Sequence, residues 1–251
     1  MTAQQMIVDT IANNLANINT VGFKRSQVDF HDLMYVKLKE AGRESAAGVT
    51  APSGFEIGSG VSPGSTLKVF TPGEMENTSR SLDVAIQGDG FLQVSLPGGG
   101  TRYTRDGALR VNASGQMVTA AGYALEPSIT IPADARSVSI GGDGTVTVFV
   151  GSSNTPQSAG QISLAKFANP SGLSSEGGNM LAETAASGTP STGTAGQNGL
   201  GELQQGFLER SNVQMVTELV NLITAQRAYE INSRAIKAGD EMLTTANRMV
   251  T

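Results

Sequence analysis

The spacing of hydrophobic positions changes character twice along this chain. Over residues 6–24 (MIVDTIANNLANINTVGFK), Val8, Ile11, Leu15 and Ile18 recur at intervals of 3, 4 and 3, which places them on one helical face. The helical period returns near the other end. There Val213, Val216, Val220, Ala228, Ile231, Ala235, Ala238, Met242 and Met249 share one face. Beside them Met215, Leu222, Tyr229, Ile236, Leu243 and Val250 recur every seven residues. The resulting apolar sector over 212–250 is wider than a coiled-coil seam requires. At ~1.5 Å per residue that helix runs roughly 55–60 Å, too long for residues 3–20 to cover. The surplus face is expected to meet other chains.

Between the two ends the period falls to 2. Residues 82–150 alternate as LDVAI, GFLQVSL, TRYTR, ALRVN, QMVTA, SVSI and TVTVFV. Asp89-Gly90, Gly98-Gly99-Gly100, Asp106-Gly107, Ser114-Gly115 and Asp143-Gly144 punctuate them as turns. Successive strands without intervening helices predict an antiparallel β domain, and QISLAKF at 161–167 adds one more strand. Residues 33–62 read as an extended arm or irregular hairpin. The low-complexity run TAASGTPSTGTAGQNG at 184–199 reads as a surface linker. The fold class is therefore α+β. A discontinuous helical domain (1–34 with 206–251) pairs the terminal helices in coiled-coil fashion. An arm (35–70), a β-rich body (71–183) and a linker (184–205) are inserted between them.

Local signals refine the ends. Ser211 and Gln214 have the spacing of a capping box, and Gly22 is a stop signal for the first helix. Asn13, Asn14, Asn17 and Asn19 are mediocre helix formers, so their concentration suggests amides retained for specific polar contacts.

Composition excludes more than it identifies. A formal net charge of -5, with Lys and Arg scattered singly, gives no footprint for nucleic acid. The absence of cysteine removes disulfides, thiolate metal sites and Cys nucleophiles. No run approaches the ~18–20 apolar residues of a membrane span, so no membrane insertion is expected. The first residues, MTAQQMIVDT, lack the basic and apolar regions of a secretory signal, so export would use a route without a cleaved one. His31, the single histidine, stands beside Asp32 with no nucleophile elbow, and dispersed carboxylates offer it no metal cluster. The glycine clusters neither open a helix nor precede Gly-Lys-Ser/Thr, which makes them turns rather than phosphate cradles. Asn77-Thr78-Ser79 and Asn112-Ala113-Ser114 match the short glycosylation pattern, which arises often by chance. No catalytic, metal-binding or cofactor-binding residue is expected.

The most specific information lies at the ends. Ile11-Ala12-Asn13-Asn14-Leu15-Ala16-Asn17-Ile18-Asn19-Thr20-Val21-Gly22-Phe23-Lys24 resembles the N-terminal signature of the bacterial flagellar rod and hook proteins. Ala225-Gln226-Arg227-Ala228-Tyr229-Glu230-Ile231-Asn232-Ser233 is similar to their C-terminal signature. Leu82-Asp83-Val84-Ala85-Ile86, Gly90-Phe91 and Tyr103-Thr104-Arg105-Asp106-Gly107 resemble them in the middle. The arm from Tyr35 to Val61 and Phe207-Leu208-Glu209-Arg210-Ser211-Asn212-Val213 are most similar to the distal rod members. In such proteins a short stretch ending in Gly-Met precedes the equivalent of Thr2, and Met1 takes that Met position here.

The resemblance implies a structural subunit, not an enzyme, that polymerises with itself into a helical tube. Proximal rod proteins, the hook protein and the surrounding P- and L-ring proteins would be its neighbours in the periplasm-spanning basal body. Ile11, Asn13, Asn14, Leu15 and Asn17 would form the assembly interface on the first helix. Leu222, Gln226, Arg227, Tyr229, Ile231, Asn232, Ile236, Met242 and Leu243 would form it on the second. Tyr35, Phe55 and Ile57 would supply arm contacts. A proximal rod or hook subunit remains an alternative within the family. A secreted β-domain binding module with helical oligomerisation ends is the alternative of a different class.

Overall fold

The computed structural model describes residues 1–39, 44–46, 49–50, 53–151 and 155–250. The parts of the expected arm at 40–43, 47–48 and 51–52 lie outside the described residues. The chain is α+β; the described residues form two α-helices, α1 (Thr2–Ala16) and α2 (Met215–Val250), and many antiparallel strands. It divides into two compact units, one of Met1–Asn13, Ser26–Leu67 and Thr217–Thr251 and one of Asn14–Arg25 with Lys68–Val216. Residues 14–25 and 206–216, which the sequence pattern groups with the helices, thus belong to the unit of the body.

In the first unit the arm is a two-stranded ribbon. Ser26–Asp32 pairs with Val61–Lys68, and Tyr35–Lys39 pairs antiparallel with Phe55–Gly58 in the register Val36↔Ile57 and Lys37↔Glu56. Further out, Glu44–Ala46 pairs with Val49–Thr50. Bonds from Leu33 N–H to Gly60 O (2.9 Å) and from Ser59 Oγ to Met34 O (2.8 Å) join successive segments.

The second unit carries the core. Its largest sheet centres on Phe91–Ser95, flanked by Thr101–Thr104, Ala124–Leu125 and Ser163–Lys166. Alternation sends Leu92 and Val94 to one face and Phe91 to the other, and all three are buried. Leu92 joins a large aliphatic cluster with Val84, Ile86, Leu109, Met117, Ile129, Val146 and Leu164. Phe91 joins a smaller cluster with Tyr103, Ala165, Phe167, Leu173 and Leu181. In that cluster the Tyr103 and Phe167 rings meet edge to face at 4.7 Å, the geometry their quadrupoles favour. A three-stranded sheet, Ala135–Ile140, Thr145–Val150 and Pro156–Gln161, adds Val146 and Val148 to the aliphatic core, as TVTVFV alternation requires. Ser114-Gly115 and Asp143-Gly144 do close hairpins, with Gly115 and Gly144 at φ 81 and 86.

Three expectations about local structure need correcting. The first helix ends at Ala16 rather than near Gly22, because bonds such as Asn17 N–H to Asn14 O (3.2 Å) and Thr20 N–H to Asn17 O (3.1 Å) tighten the chain into turns. The second helix begins at Met215, so Ser211 does not cap it; its hydroxyl instead accepts from Val213 N–H at 3.3 Å, a local turn. The expected linker at 184–205 is part of the body. Ser191–Thr194 pairs with Ser163–Lys166, Glu202–Gln205 pairs with Val84–Gln87, and Ala195, Leu200 and Leu203 are buried. Its Gly and Thr content reflects tight turns and β pairing, which low complexity disguises.

Because Leu164 is fully buried between flanking strands, Leu164→Ala should cost about 2–5 kcal/mol. Chemical denaturation followed by far-UV circular dichroism checks this.

Candidate functional site

The predicted assembly residues fall into distinct environments. Ile11 and Asn14 are buried within the single chain, Leu15 and Asn17 are half-buried, and Asn13 is exposed. On α2, Gln226, Arg227, Tyr229, Ile231, Asn232, Ile236, Met242 and Leu243 are exposed and Leu222 is half-buried. Ala225 is buried, yet Val216, Ile231, Met242 and Leu243 remain 75%, 63%, 69% and 66% exposed. A 36-residue helix that leaves such side chains in water has an unfinished apolar face. On the ribbon, Tyr35, Phe55 and Ile57 are likewise exposed, together with Met34, Val36, Leu38 and Val61. Isolated two-stranded ribbons are marginal in water, so this one also presents surface that a further partner can cover.

A second feature, which sequence reasoning missed, lies wholly in the unit of the body. Three chain segments converge on Glu209, the last residue of the strand Phe207–Glu209 that pairs with Met75–Asn77. Lys24 Nζ donates to Glu209 Oε1 at 2.6 Å and to Thr71 O at 2.7 Å. Gly73 N–H donates to the same carboxylate oxygen at 2.9 Å, and Gly22 N–H donates to Glu209 O at 2.8 Å. Arg105 Nε lies 3.2 Å from Glu209 Oε2, close enough for an ion pair but not aligned as a hydrogen bond. The Arg105 guanidinium also donates to Gly88 O and stands over the Phe91 ring, 5.8 Å from its centroid.

These charges are almost wholly buried: side-chain exposure is 3% for Lys24, 3% for Arg105 and 1% for Glu209. Burial pushes the Lys24 ammonium below its ordinary pKa, and the Glu209 carboxylate opposes that shift. Burial lowers the Arg105 guanidinium likewise, against the pull of Glu209 and Asp89. One carboxylate therefore holds two cations in an apolar surrounding, an arrangement whose cost depends on every partner staying in place.

Asn212 extends the clasp. Its Oδ1 accepts from Arg25 N–H at 2.8 Å, while its Nδ2 donates to Val69 O (2.8 Å) and Thr71 O (3.2 Å). Asn179 Nδ2 donates to Val21 O at 2.8 Å. Gly22, at φ +67, approaches so closely that a Cβ there would lie 2.6 Å from the Arg105 carbonyl carbon. Its role is thus close approach and positive φ, where the sequence suggested a helix stop. The signal was present: Lys24, Arg105, Glu209 and Asn212 all lie within the motifs that carry the family resemblance. Nothing in their spacing indicated that they would meet.

Among the described residues, the hollows of the body gather no cluster of catalytic groups. Three surface hollows of the body, lined around Ile18 and Leu208, around Phe70 and Phe167, and around Leu82 and Arg110, each hold one carboxylate or none. Among the described residues no cluster of His, Asp and Glu could hold a metal ion, and no helix is long and apolar enough to cross a membrane.

Comparison with known proteins places these features in context. Residues 1–24 match the family described as flagella basal body rod protein, and residues 85–148 match the flagellar hook protein FlgE/F/G D1 domain. Residues 204–249 match the flagellar basal body rod FlgEFG protein C-terminal family. The chain is similar to the flagellar basal-body rod protein FlgG of Buchnera aphidicola subsp. Schizaphis graminum, 49% identical over 96% of this chain and 93% of the relative. It is similar to the FlgG of Borreliella burgdorferi at 45% over 99% and 95%. It is also similar to the hook-basal body complex protein FlhP of Bacillus subtilis, 34% identical over 97% of this chain and 93% of the relative.

Removing Glu209 leaves two buried cations without their counter-charge, so Glu209→Ala should cost about 3–5 kcal/mol. Asn212→Ala removes the acceptor of the part-buried Arg25 N–H and the donor to the part-buried Val69 O and should cost about 1–3 kcal/mol. Thermal melts of the two variants check both values.

Proposed function

The chain belongs to the flagellar basal-body rod protein family, and on that premise we propose how it works as a structural subunit of the distal rod. It is a structural protein rather than an enzyme. Copies of the chain polymerise into a rigid helical tube that transmits torque from motor to hook. Non-closing contacts between identical subunits generate such a tube without any further component.

The single observation that supports this reading is the unfinished apolar face of α2, in a chain whose rod-family signature falls on the same helix. In the assembly α1 and α2 pair in coiled-coil fashion, and Leu222, Tyr229, Ile231, Ile236, Met242 and Leu243 pack against neighbouring copies. Asn13, Asn17, Gln226, Arg227 and Asn232 supply polar contacts there. Asn14 and Ile11 serve the subunit's own packing, consistent with their burial. Tyr35, Phe55 and Ile57 engage neighbours through the ribbon. Each part of the chain has its own role. The helical ends 1–34 and 206–251 assemble, the arm 35–70 reinforces, and the body that begins at 71 is carried by them. Proximal rod proteins and the hook protein adjoin the two ends of the tube, and the P- and L-ring proteins surround it. The subunit occupies this periplasm-spanning position in the basal body.

Purified protein at high concentration should form straight tubes visible by electron microscopy; curved tubes would favour a hook subunit. Ile231 is 63% exposed, so Ile231→Asp should change monomer stability by no more than about 0.5 kcal/mol. It should nevertheless abolish tube formation while the body keeps its circular dichroism spectrum. Normal tubes from this variant would exclude an interfacial role for Ile231.

A further inference from the structure

We infer that Lys24, Arg105 and Glu209 are positioning residues for assembly, retained because they fix the register of the chain's incoming and outgoing segments rather than because they stabilise the fold. This inference rests on the polymerising role proposed above.

As a source of stability the three charges are poor. Buried ion pairs seldom exceed their own desolvation cost, and an apolar set of similar volume is often equally stable. Here the balance is worse than usual. Two cations share one carboxylate, and Arg105 Nε with Glu209 Oε2 forms no hydrogen bond despite lying 3.2 Å from it. A fold selected only for stability would gain little from this arrangement.

What the charges do well is discriminate. Lys24 follows α1 by a few residues and Glu209 precedes α2 by a few, so the pair joins two segments 185 residues apart in sequence. The backbone bond from Gly22 N–H to Glu209 O and the pairing of Phe207–Glu209 with Met75–Asn77 use groups that repeat along the chain and could re-form after a slip, so what opposes it is the fit of Gly22 against Arg105 together with the buried charges. A slip of one residue carries Glu209 away from Lys24, Gly73 and Arg105 together, and takes the buried cations out of their ion pairs. Apolar side chains at these positions would not penalise that slip. The same logic lets one buried polar residue set register in coiled coils at a cost in stability. Register matters for a subunit of this kind because both helices leave from the clasped segments. A slip there changes the length of chain between the clasp and each helix.

The test compares three proteins: wild type, Lys24→Met, and the triple variant Lys24→Met, Arg105→Met, Glu209→Gln. The glutamine keeps an acceptor for Gly73 N–H while removing the charge. The single variant should melt lower than wild type, and the triple variant should regain wild-type melting temperature. In the triple variant the Gly22 amide should nonetheless exchange with solvent on the order of tenfold faster than in wild type, reporting a loosened register. The triple variant should also form irregular aggregates where wild type forms uniform tubes. Uniform tubes of wild-type diameter with unchanged Gly22 exchange would overturn the inference. A triple variant that fails to fold would overturn it too, since the charges would then be stabilising in themselves. If wild type forms no tubes, the proposed function fails instead, and the exchange measurement on monomers still decides the register question.

Discussion

The contact on which the segments at 22–25 and 207–213 depend within the body is the buried salt bridge from Lys24 to Glu209. At 2.6 Å and almost fully removed from water, it cannot be exchanged for solvent contacts without exposing or orphaning charge. Around it Thr71, Gly73 and Arg105 add further contacts, and Asn212 ties Arg25, Val69 and Thr71 into the same knot. The consequence is cooperative: no member can leave without disturbing the partners of the others. Gly22 belongs to this constraint, because the backbone of Arg105 occupies the space where any side chain would stand.

The exposed apolar side chains of α2 follow a different logic. Full burial of one Val, Leu, Ile or Met contributes about 1.5–3 kcal/mol. Association of two proteins costs roughly 4–15 kcal/mol in lost freedom before any contact is counted. Four or five side chains such as Val216, Ile231, Ile236, Met242 and Leu243 would together supply about 6–15 kcal/mol, the same order as that cost, and α2 leaves all five exposed. In a helix of 36 residues whose exposed side includes so much apolar surface, propensity alone gives modest stability. Its order in an assembly would come chiefly from neighbours, whereas the body's order comes from its own core.

Much of this was legible in the sequence. The helical period at both ends, the strand alternation through TVTVFV and GFLQVSL, and the glycine turns at 115 and 144 are local signals, and the structure has them. The α2 face was legible for the same reason: periodicity reports which side chains share a surface. Failures came where tertiary context outweighs local chemistry. Gly22 reads as a helix stop by local rules, but its conformation is set by Arg105, which is 83 positions away in the chain and pressed against it. Residues 184–205 read as linker because Gly, Ser and Thr are common in loops. Their few apolar members, Ala195, Leu200 and Leu203, are nevertheless enough to lock the segment onto the aliphatic cluster. The clasp could not be read at all. Lys24, Arg105 and Glu209 are single charges in three separate motifs, and no period links them.

That asymmetry says something about how the chain separates assembly from alignment. The proposed assembly surfaces lie on regular elements, where a repeat of side chains would meet a repeat on a neighbour and the loss of one side chain removes a fraction of the contact. The clasp lies at turns and at the end of a short strand, where each residue is used once and has several partners. A helix can lose one apolar contact and keep its register through the remainder. The segments at 22–25 and 207–213 have no such redundancy, so their alignment rests on a few groups that tolerate no alternative partner. Buried charge suits that position because it penalises every wrong arrangement more than it rewards the right one. The body is thus defined by what it buries, α2 by what it leaves exposed, and the clasp by what it forbids.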